Sequence, residues 1–503
     1  MAGLVLLGKC FRNVYLHPLS RFPGPRLAAM GSLYEFWFDV IRDGQYLWQI
    51  EKMHDKYGPV IRINSTELHI RDSEYYNSIY TSGGRTINKD PSTAGALAVP
   101  SSVGGTIDHH RHRARRGYLN PYFSRRSIIG MEANIYERIS RLCERLETSM
   151  VNKTVVCLDS AFSALTADIV TQRFYGEHLD YLDIPDYKTA LTEAILGVTH
   201  IFNLTRFMPT WVSTFKRLPI PIIRKLSPSI ADLLEVREDM KHRILNILDI
   251  KSTDESNSIM ISAFSDADIP PKERDIDRLL DEGTAIILAG TETTSRALSI
   301  GLFYLLNDKT HIKKLREDLS TIPFKAGQTY STTELEVLPY LRGVVHESLR
   351  LSFGPIGRLP RVAVNESLQY GNFTIPPGTP VSQSTYFVHT DPAIFPNPHS
   401  FNPNRWIKAA EEGFPLNKFL VCFTKGSRQC IAIQMAFTIL YLTIARLVQT
   451  FDMDLHETTM DAVKVHHVRV LGYPKTTKQE GNGRREIKVK VMARVNIEAP
   501  EFP

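Results

Sequence analysis

Cys430 stands in the run Phe423-Thr-Lys-Gly-Ser-Arg-Gln-Cys430-Ile-Ala432, just ahead of a long apolar stretch. Gly426 allows a tight turn through which the backbone can approach a flat ligand. Helix N-terminal N–H groups favour an anion, so a cysteine where the next helix starts suits a thiolate. A thiolate is the axial ligand that pushes electron density onto a haem iron, and Arg428, two residues earlier, can meet a carboxylate of such a group. A lone cysteine is more commonly a small buried hydrophobe, and on this segment alone that reading stays open. A phosphatase-type nucleophile would want its arginine after the cysteine, not before it.

Three further segments carry candidate chemistry. Ala289-Gly-Thr-Glu-Thr-Thr294 sets a polar cluster inside an otherwise apolar helix, which is costly unless the polar groups are paired or used. Glu292 and Thr293 can relay protons, and Gly290 is expected to loosen the helix. A core helix with its hydroxyls bonded back to carbonyls four residues earlier accounts for the cluster equally well. In Glu347-Ser-Leu-Arg350 the two charges share one helix face. Most such pairs are solvated and contribute little, but Arg405, in Phe401-Asn-Pro-Asn-Arg405-Trp406, offers a second guanidinium to the same carboxylate. That set would be structural. In Arg111-His-Arg-Ala-Arg-Arg116, His112 and Arg116 share a face and can hold anionic groups, while Arg113 and Arg115 point elsewhere. A solvated basic helix is the competing reading.

These residues need elements to position them. Helical periodicity predicts a long helix from about Ile276 to Leu306, helices over 310–320 and 332–352, and one from Cys430 to about Phe451. Strands are expected at Val60–Ile63 and Glu67–Ile70 around an Asn64-Ser65 turn, from Arg361 to Val381 with a turn at Pro376-Pro-Gly378, and over 463–497. Residues 125–250 read as largely helical, broken at Pro185, Pro209 and Pro219-Ile-Pro221. That break is rich in Phe202, Phe207, Trp211 and Phe215, which fits a lid, a membrane-dipping surface or a loosely packed helix pair. The polar stretch Asp249–Asp268 reads as a surface loop. There is no internal repeat.

With 503 residues, the chain is long for a single core, so it holds either two domains or one fold built around a buried group. It is 43% hydrophobic and 23% charged, which excludes disordered and collagen-like classes. A net charge of +6 argues against obligatory nucleic-acid binding. Five cysteines with no framework spacing argue against a disulfide scaffold. The apolar start Gly3–Gly8 is far shorter than the roughly 20 residues a bilayer span needs. Phe22-Pro-Gly-Pro-Arg26 reads as a hinge after it. Five Asn-x-Ser/Thr triplets, at Asn64, Asn152, Asn203, Asn365 and Asn372, are read as chance occurrences.

In this order and spacing, the Phe-x-x-Gly-x-Arg-x-Cys loop, the Ala-Gly-x-Glu-Thr-Thr helix, Glu-x-x-Arg and the arginine before Trp406 resemble the cytochrome P-450 superfamily over nearly the whole chain. The resemblance implies a mainly α, triangular helical domain with a smaller β-rich region over 22–503, preceded by a short tether over 1–21. It implies haem b with Cys430 as iron ligand, and Thr293 and Glu292 steering protons to bound oxygen. Glu347, Arg350 and Arg405 would form the structural triad, and His112, Arg116, Arg361 and Arg428 would meet the propionates. It further implies a monooxygenase oxidising an apolar small molecule with dioxygen and electrons from an NADPH-dependent cytochrome reductase. That partner would dock near Cys430 against Arg113, Arg115 and Lys425. Pocket-lining regions are expected at 86–108, 190–215, 284–293, 353–359 and 466–472. Tyr15-Leu-His-Pro-Leu-Ser-Arg-Phe-Pro-Gly-Pro and Gly44-Gln-Tyr-Leu-Trp48 look like fungal members of secondary metabolism, some of which oxidise terpenes. Location at the cytosolic face of the endoplasmic reticulum membrane follows from the resemblance, although the anchor usual in eukaryotic members is nearly absent. Ala432 departs from the glycine common in the family, and Cys422 stands near a common proline. The alternatives are a haem-thiolate isomerase or dehydratase, which often lacks the threonine, and a non-catalytic haem sensor, which would not need the Glu292–Thr293 pair.

Overall fold

The computed structural model describes residues 1–82, 84–96, 98–208, 218–249, 258, 259, 266, 268–322, 329–475 and 486–495. Pro209, Trp211, Phe215 and most of the polar stretch 249–268 lie outside the described residues.

The long helix runs over Ile276–Asn307, capped by the Asp275 side chain accepting from the Asp277 N–H. It is the axis of the main core. Helix Leu158–Tyr175 crosses it antiparallel at glycines: a Cβ on Gly283 would meet Phe174 at 2.6 Å, and one on Gly290 would meet Val170 Cγ2 at 2.9 Å. The Thr166 hydroxyl donates to the Thr291 carbonyl at 2.9 Å in the same crossing. On another face, a Cβ on Gly301 would collide with Ser348, which admits helix Pro339–Ser352. Gly290 therefore secures close packing. The helix does not loosen there, and it stays α-helical throughout.

The expected helix over 332–352 is two helices, Thr332–Leu335 and Pro339–Ser352, because Pro339 lacks an N–H and opens the second. The buried helix Ile433–Thr450 follows Cys430. It is the one described helix long and apolar enough to cross a membrane, and it lies mostly inside the fold.

A five-stranded sheet flanks the helices in the order Val60–Arg62, Leu68–Ile70, Pro380–Ser382, Arg361–Ala363, Ile87–Lys89. The first pair is antiparallel, Val60 opposite Ile70, around the anticipated turn. The region 463–497 holds a two-residue hairpin, His467–Val468 with Gly472–Tyr473, and one longer strand, Lys488–Arg494. The Gly44-Gln-Tyr-Leu-Trp48 segment packs on that hairpin. Gly44, at φ +72°, leaves no room for a Cβ beside the Val468 backbone, and Gln45 Nε2 and Trp48 Nε1 each donate to the His466 carbonyl at 2.8 Å.

The first residues form a helix, Ala2–Phe11, with Leu4, Leu6, Leu7 and Phe11 exposed. Packing onto the body begins before the hinge: Asn13 is buried and bonds the Met30 carbonyl, and Leu19 and Phe22 are core residues. Asn64 and Asn203 are likewise buried and hydrogen-bonded.

Candidate functional site

Gly426 has φ +77°, and a Cβ there would strike the Thr81 and Tyr80 carbonyl oxygens at 2.4 and 2.6 Å. The turn therefore docks the cysteine loop against the backbone of residues 80–81, where Ser427 N–H donates to the Thr81 carbonyl at 3.1 Å. The Cys430 N–H closes the loop onto the Phe423 carbonyl at 2.9 Å. Cys430 is exposed although protein surrounds it on every side, so its thiol opens onto an internal cleft. Burial pushes the thiol up, and the Ala432 N–H and the Arg116 guanidinium draw it down without fully offsetting that. The helix begins at Ile433 with Ala432 as its N-cap, so the N–H that draws the thiol down lies at the helix entry. A coordinating metal deprotonates such a thiol outright.

The long helix opens inward as well. Ala289 is exposed, and Ala285 and Thr293, one turn to either side, are half-buried in the middle of a mostly buried helix. Ile286 and Leu288 from this helix, and Phe423, Ile431 and Ala432 from the cysteine loop, form the half-buried rim of one core. Thr293 Oγ1 donates to the Ala289 carbonyl at 2.8 Å, the back-bonding that the core-helix reading foresaw. Glu292 is buried.

The basic residues converge, together with one that the sequence did not suggest. Lys89 is the register partner of Arg361 on the neighbouring strand, an arrangement of like charges that is unfavourable alone. His112, on helix His109–Leu119, sits among Arg428, Lys89, Arg116 and Arg361. Burial, then these cations, lower its pKa to about 3. Lys89 falls to about 7 through burial, Arg361 and Arg428, and Arg428 to about 9 through burial and then Arg361. Arg428 donates to the carbonyls of Thr106 (2.7 Å) and Ile107, Arg116 to that of Gln429 (2.5 Å), and Lys89 to that of Gly104. None of the four Lys and Arg residues forms an ion pair with a carboxylate among the described residues. A set of buried and half-buried cations that meets carbonyls and the Tyr80 ring but no ion-paired carboxylate among the described residues is a seat for a group with more than one negative charge. The signal for Lys89 was its place in a strand beside Arg361, which only the pairing reveals.

Glu347 accepts from Arg350 at 2.7 and 2.9 Å, Arg405 Nε at 3.1 Å, Trp406 Nε1 at 2.9 Å and the Asn402 N–H at 3.0 Å. Burial would raise its pKa, but the two guanidiniums and these donors hold it below the usual value. Arg115, expected to face a partner, is instead paired with Glu273 at 2.9 Å and bonded to Thr106. Arg113 is exposed.

Four of the five expected pocket regions meet in one pocket. It is lined by Thr93, Phe202, Asn203, Arg206, Pro355, Gly357, Arg358, Leu359 and Val468–Val470, with Asp39, Leu47 and Ile50. Its charged members were not foreseen.

The fold and site together describe a mostly helical protein offering one enclosed sulfur donor beneath an inward-facing helix and a cradle for a multiply charged anion. The family model for cytochrome P450 matches residues 23–478. The chain belongs to the cytochrome P450 family. It is 50% identical over 496 residues to the cytochrome P450 monooxygenase TRI4 of Trichoderma arundinaceum, covering 98% of this chain and 96% of that protein. It is 47% identical to the cytochrome P450 monooxygenase astB of Aspergillus terreus, with 97% and 96% covered, and 41% identical to the conidiogenone synthase PchP450 of Penicillium rubens, with 96% of each covered. The protein is therefore a P450 monooxygenase of fungal secondary-metabolite type, working with a haem-thiolate iron, dioxygen, a redox partner and a small-molecule substrate.

Proposed function

We propose that the chain binds haem b through Cys430 and inserts oxygen into an apolar small molecule, a fungal secondary metabolite such as a terpenoid. The observation that carries the cofactor assignment is the cation cluster. Haem b bears two carboxylates, and His112, Arg116, Arg361, Arg428 and Lys89 gather with no ion-paired carboxylate among the described residues to answer them. When bound, the haem-thiolate iron supplies oxygen activation, the thiolate favouring O–O cleavage. Thr293 Oγ1 spends its proton on the Ala289 carbonyl, which leaves its lone pairs to accept from a water in the cleft. Breaking that one bond turns the hydroxyl into a donor. Glu292, the buried residue before it, is the relay that passes a proton on from solvent. The apolar lining from Leu47, Ile50, Phe202, Leu359 and Val470 suits entry of an apolar molecule.

Electrons come from an NADPH-dependent reductase docking beside the cysteine loop, with Arg113 and Lys425 toward it and Arg115 withdrawn. The protein lies on the cytosolic face of the endoplasmic reticulum membrane. The exposed apolar residues of Ala2–Phe11, with Leu33, Trp37, Ile222 and Leu226, support contact with a lipid surface. The test is product formation by the reductase-coupled protein. It should require both dioxygen and NADPH, and Thr293→Ala should keep its haem yet lose roughly 10²-fold or more in product per NADPH consumed. Turnover without either co-substrate would favour an isomerase or dehydratase. No product under any condition, with haem retained, would favour a sensor.

A further inference from the structure

Two elements distant in sequence from the cysteine loop grip its first residues. The first is the end of helix Pro339–Ser352, where Phe353 (φ +63°) and Gly354 (φ +61°) turn the chain so sharply that a Cβ on Gly354 would stand 2.6 Å from the Cys422 carbonyl oxygen. The second is His389, fully buried at the end of the short helix Thr385–His389. Its Nε2 lies 2.9 Å from the backbone N of Val421. A backbone amide can only donate, so Nε2 carries the lone pair and the proton sits on Nδ1. That nitrogen is 2.8 Å from the Arg350 carbonyl, which can only accept. One neutral tautomer thus satisfies both ring nitrogens. Arg350 returns the contact by donating through Nη1 to the His389 carbonyl at 2.8 Å, while its other nitrogens clasp Glu347. Phe353 stacks on the imidazole face and Phe395 packs against its edge.

Beyond Val421 the chain is short and constrained. The Val421 carbonyl accepts from the Thr424 N–H at 2.9 Å, Thr424 turns with φ +55°, and the Phe423 carbonyl accepts from the Cys430 N–H at 2.9 Å. From the Glu347–Arg350 pair to Cys430 the connection is thus continuous, and one imidazole is its only side-chain link to the loop backbone among these contacts.

We propose that His389 is a positioning residue for the iron ligand: through its Nε2 it anchors the Val421 amide, and so the loop carrying Cys430, to the Glu347–Arg350 frame. The inference rests on Cys430 being that ligand. Its burial beside Arg350, which brings its pKa down to about 3, keeps the ring neutral, so the anchor does not titrate across the working range.

The experiment separates the two nitrogens. In His389→Gln, the amide oxygen reaches the Nε2 position and can accept from Val421. In His389→Asn, the amide nitrogen takes the Nδ1 position and keeps only the bond to Arg350. The readout is the Soret band of the reduced carbon monoxide complex, which is red-shifted only with thiolate ligation, followed over time alongside the melting temperature. We expect His389→Gln to hold the thiolate band near the wild-type lifetime. His389→Asn should lose it about 10- to 100-fold faster, the usual effect of removing a group that orients a metal ligand. Equal lifetimes in the two variants, or a loss that merely follows the melting temperature, would overturn the proposal. If one variant yields no folded protein, the other decides alone: a His389→Gln band as short-lived as that of a His389→Phe control, or a wild-type lifetime in His389→Asn, refutes the anchor. Cys430→Ser is the separate control. If it keeps the red-shifted band, the ligand assignment fails, and the proposal with it; if it loses the band while both His389 variants keep it, only the anchor is refuted.

Discussion

Glu347 and Asp39 are both buried carboxylates facing arginines, and they end in opposite states. Glu347 receives two guanidiniums, from Arg350 and Arg405, which pair with no other carboxylate among the described residues, together with the Trp406 and Asn402 N–H groups, and its pKa lies below the ordinary value. On the access side, Glu35, Asp39 and Glu67 share the guanidiniums of Arg206 and Arg358. Both arginines close on Glu35, Glu67 takes Arg358 Nε at 3.0 Å, and Asp39 is left with contacts at 3.6 and 3.8 Å. Burial then outweighs attraction, and the pKa values of Asp39 and Glu67 rise to about 7. The ratio of partners to carboxylates, more than burial, decides which network is a fixed ion pair and which holds exchangeable protons near neutrality.

The largest effect is expected where the ratio is highest. Glu347→Gln leaves Arg350, fully buried, and Arg405 without a counter-charge, which should destabilise the fold by about 3–5 kcal/mol. Urea unfolding measures it. A loss below about 1 kcal/mol would mean that the carbonyls of His389, Pro398 and Ser400, which also accept from Arg350, suffice to hold it.

The access network should respond to pH in the opposite sense. Asp39 and Glu67 have folded-state values raised from 3.8 and 4.5 to about 7. Below about pH 4 both states hold the protons and the contribution to stability is complete. As pH rises toward about 7, the unfolded chain gives up protons that the folded chain retains, and stability falls. Glu347, with its value lowered, contributes stability above 4.5 that is lost only as pH falls through its folded value. A tenfold difference in proton affinity between the folded and unfolded chain is worth about 1.4 kcal/mol, so the neutral-side decline is at most on the order of 8 kcal/mol for the pair. Asp39→Asn removes one titrating group at almost constant shape. Its urea midpoint, compared with wild type at about pH 5 and about pH 7.5, should fall less with rising pH. Parallel slopes in the two proteins would sink the titration account.

The same contrast marks what a reader of the sequence can see. Glu347 and Arg350 lie one helical turn apart, and Arg405 is flagged by the tryptophan after it, so the proximal network is written in local spacing. Cys430, with Arg428 and Gly426, was equally plain, as were the long helix and the strands flanking Asn64-Ser65. Glu35 and Asp39 lie one helical turn apart, but Glu67, Arg206 and Arg358 come from three other stretches, and each looks like an ordinary surface charge until the chain is folded. Lys89 was missed for the same reason, since strand register alone sets it beside Arg361. Gly290 was read as flexibility because a sequence records a missing side chain but not the Val170 methyl that takes its place. Arg115 was assigned to a partner because nothing local announces Glu273 as its mate.

Gly290 supplies the smallest of these effects and a control for the others. An alanine Cβ would sit 2.9 Å from Val170 Cγ2, a branched side chain whose χ1 has little freedom in a helix, so the two helices must part by a few tenths of an ångström. Overpacking of this kind costs about 1–3 kcal/mol, offset by roughly 1 kcal/mol of improved helix propensity, leaving Gly290→Ala about 0–2 kcal/mol less stable. In Val170→Ala the new methyl meets open space, so adding Gly290→Ala to that variant should be neutral or stabilising, and a double-mutant cycle reads the difference. No charge is involved, so the cost should be the same at about pH 5 and about pH 7.5. That flat profile makes the slope of Asp39→Asn interpretable: were Gly290→Ala to acquire the same pH dependence, the slope would belong to a general loosening of the fold and not to protons held on Asp39 and Glu67.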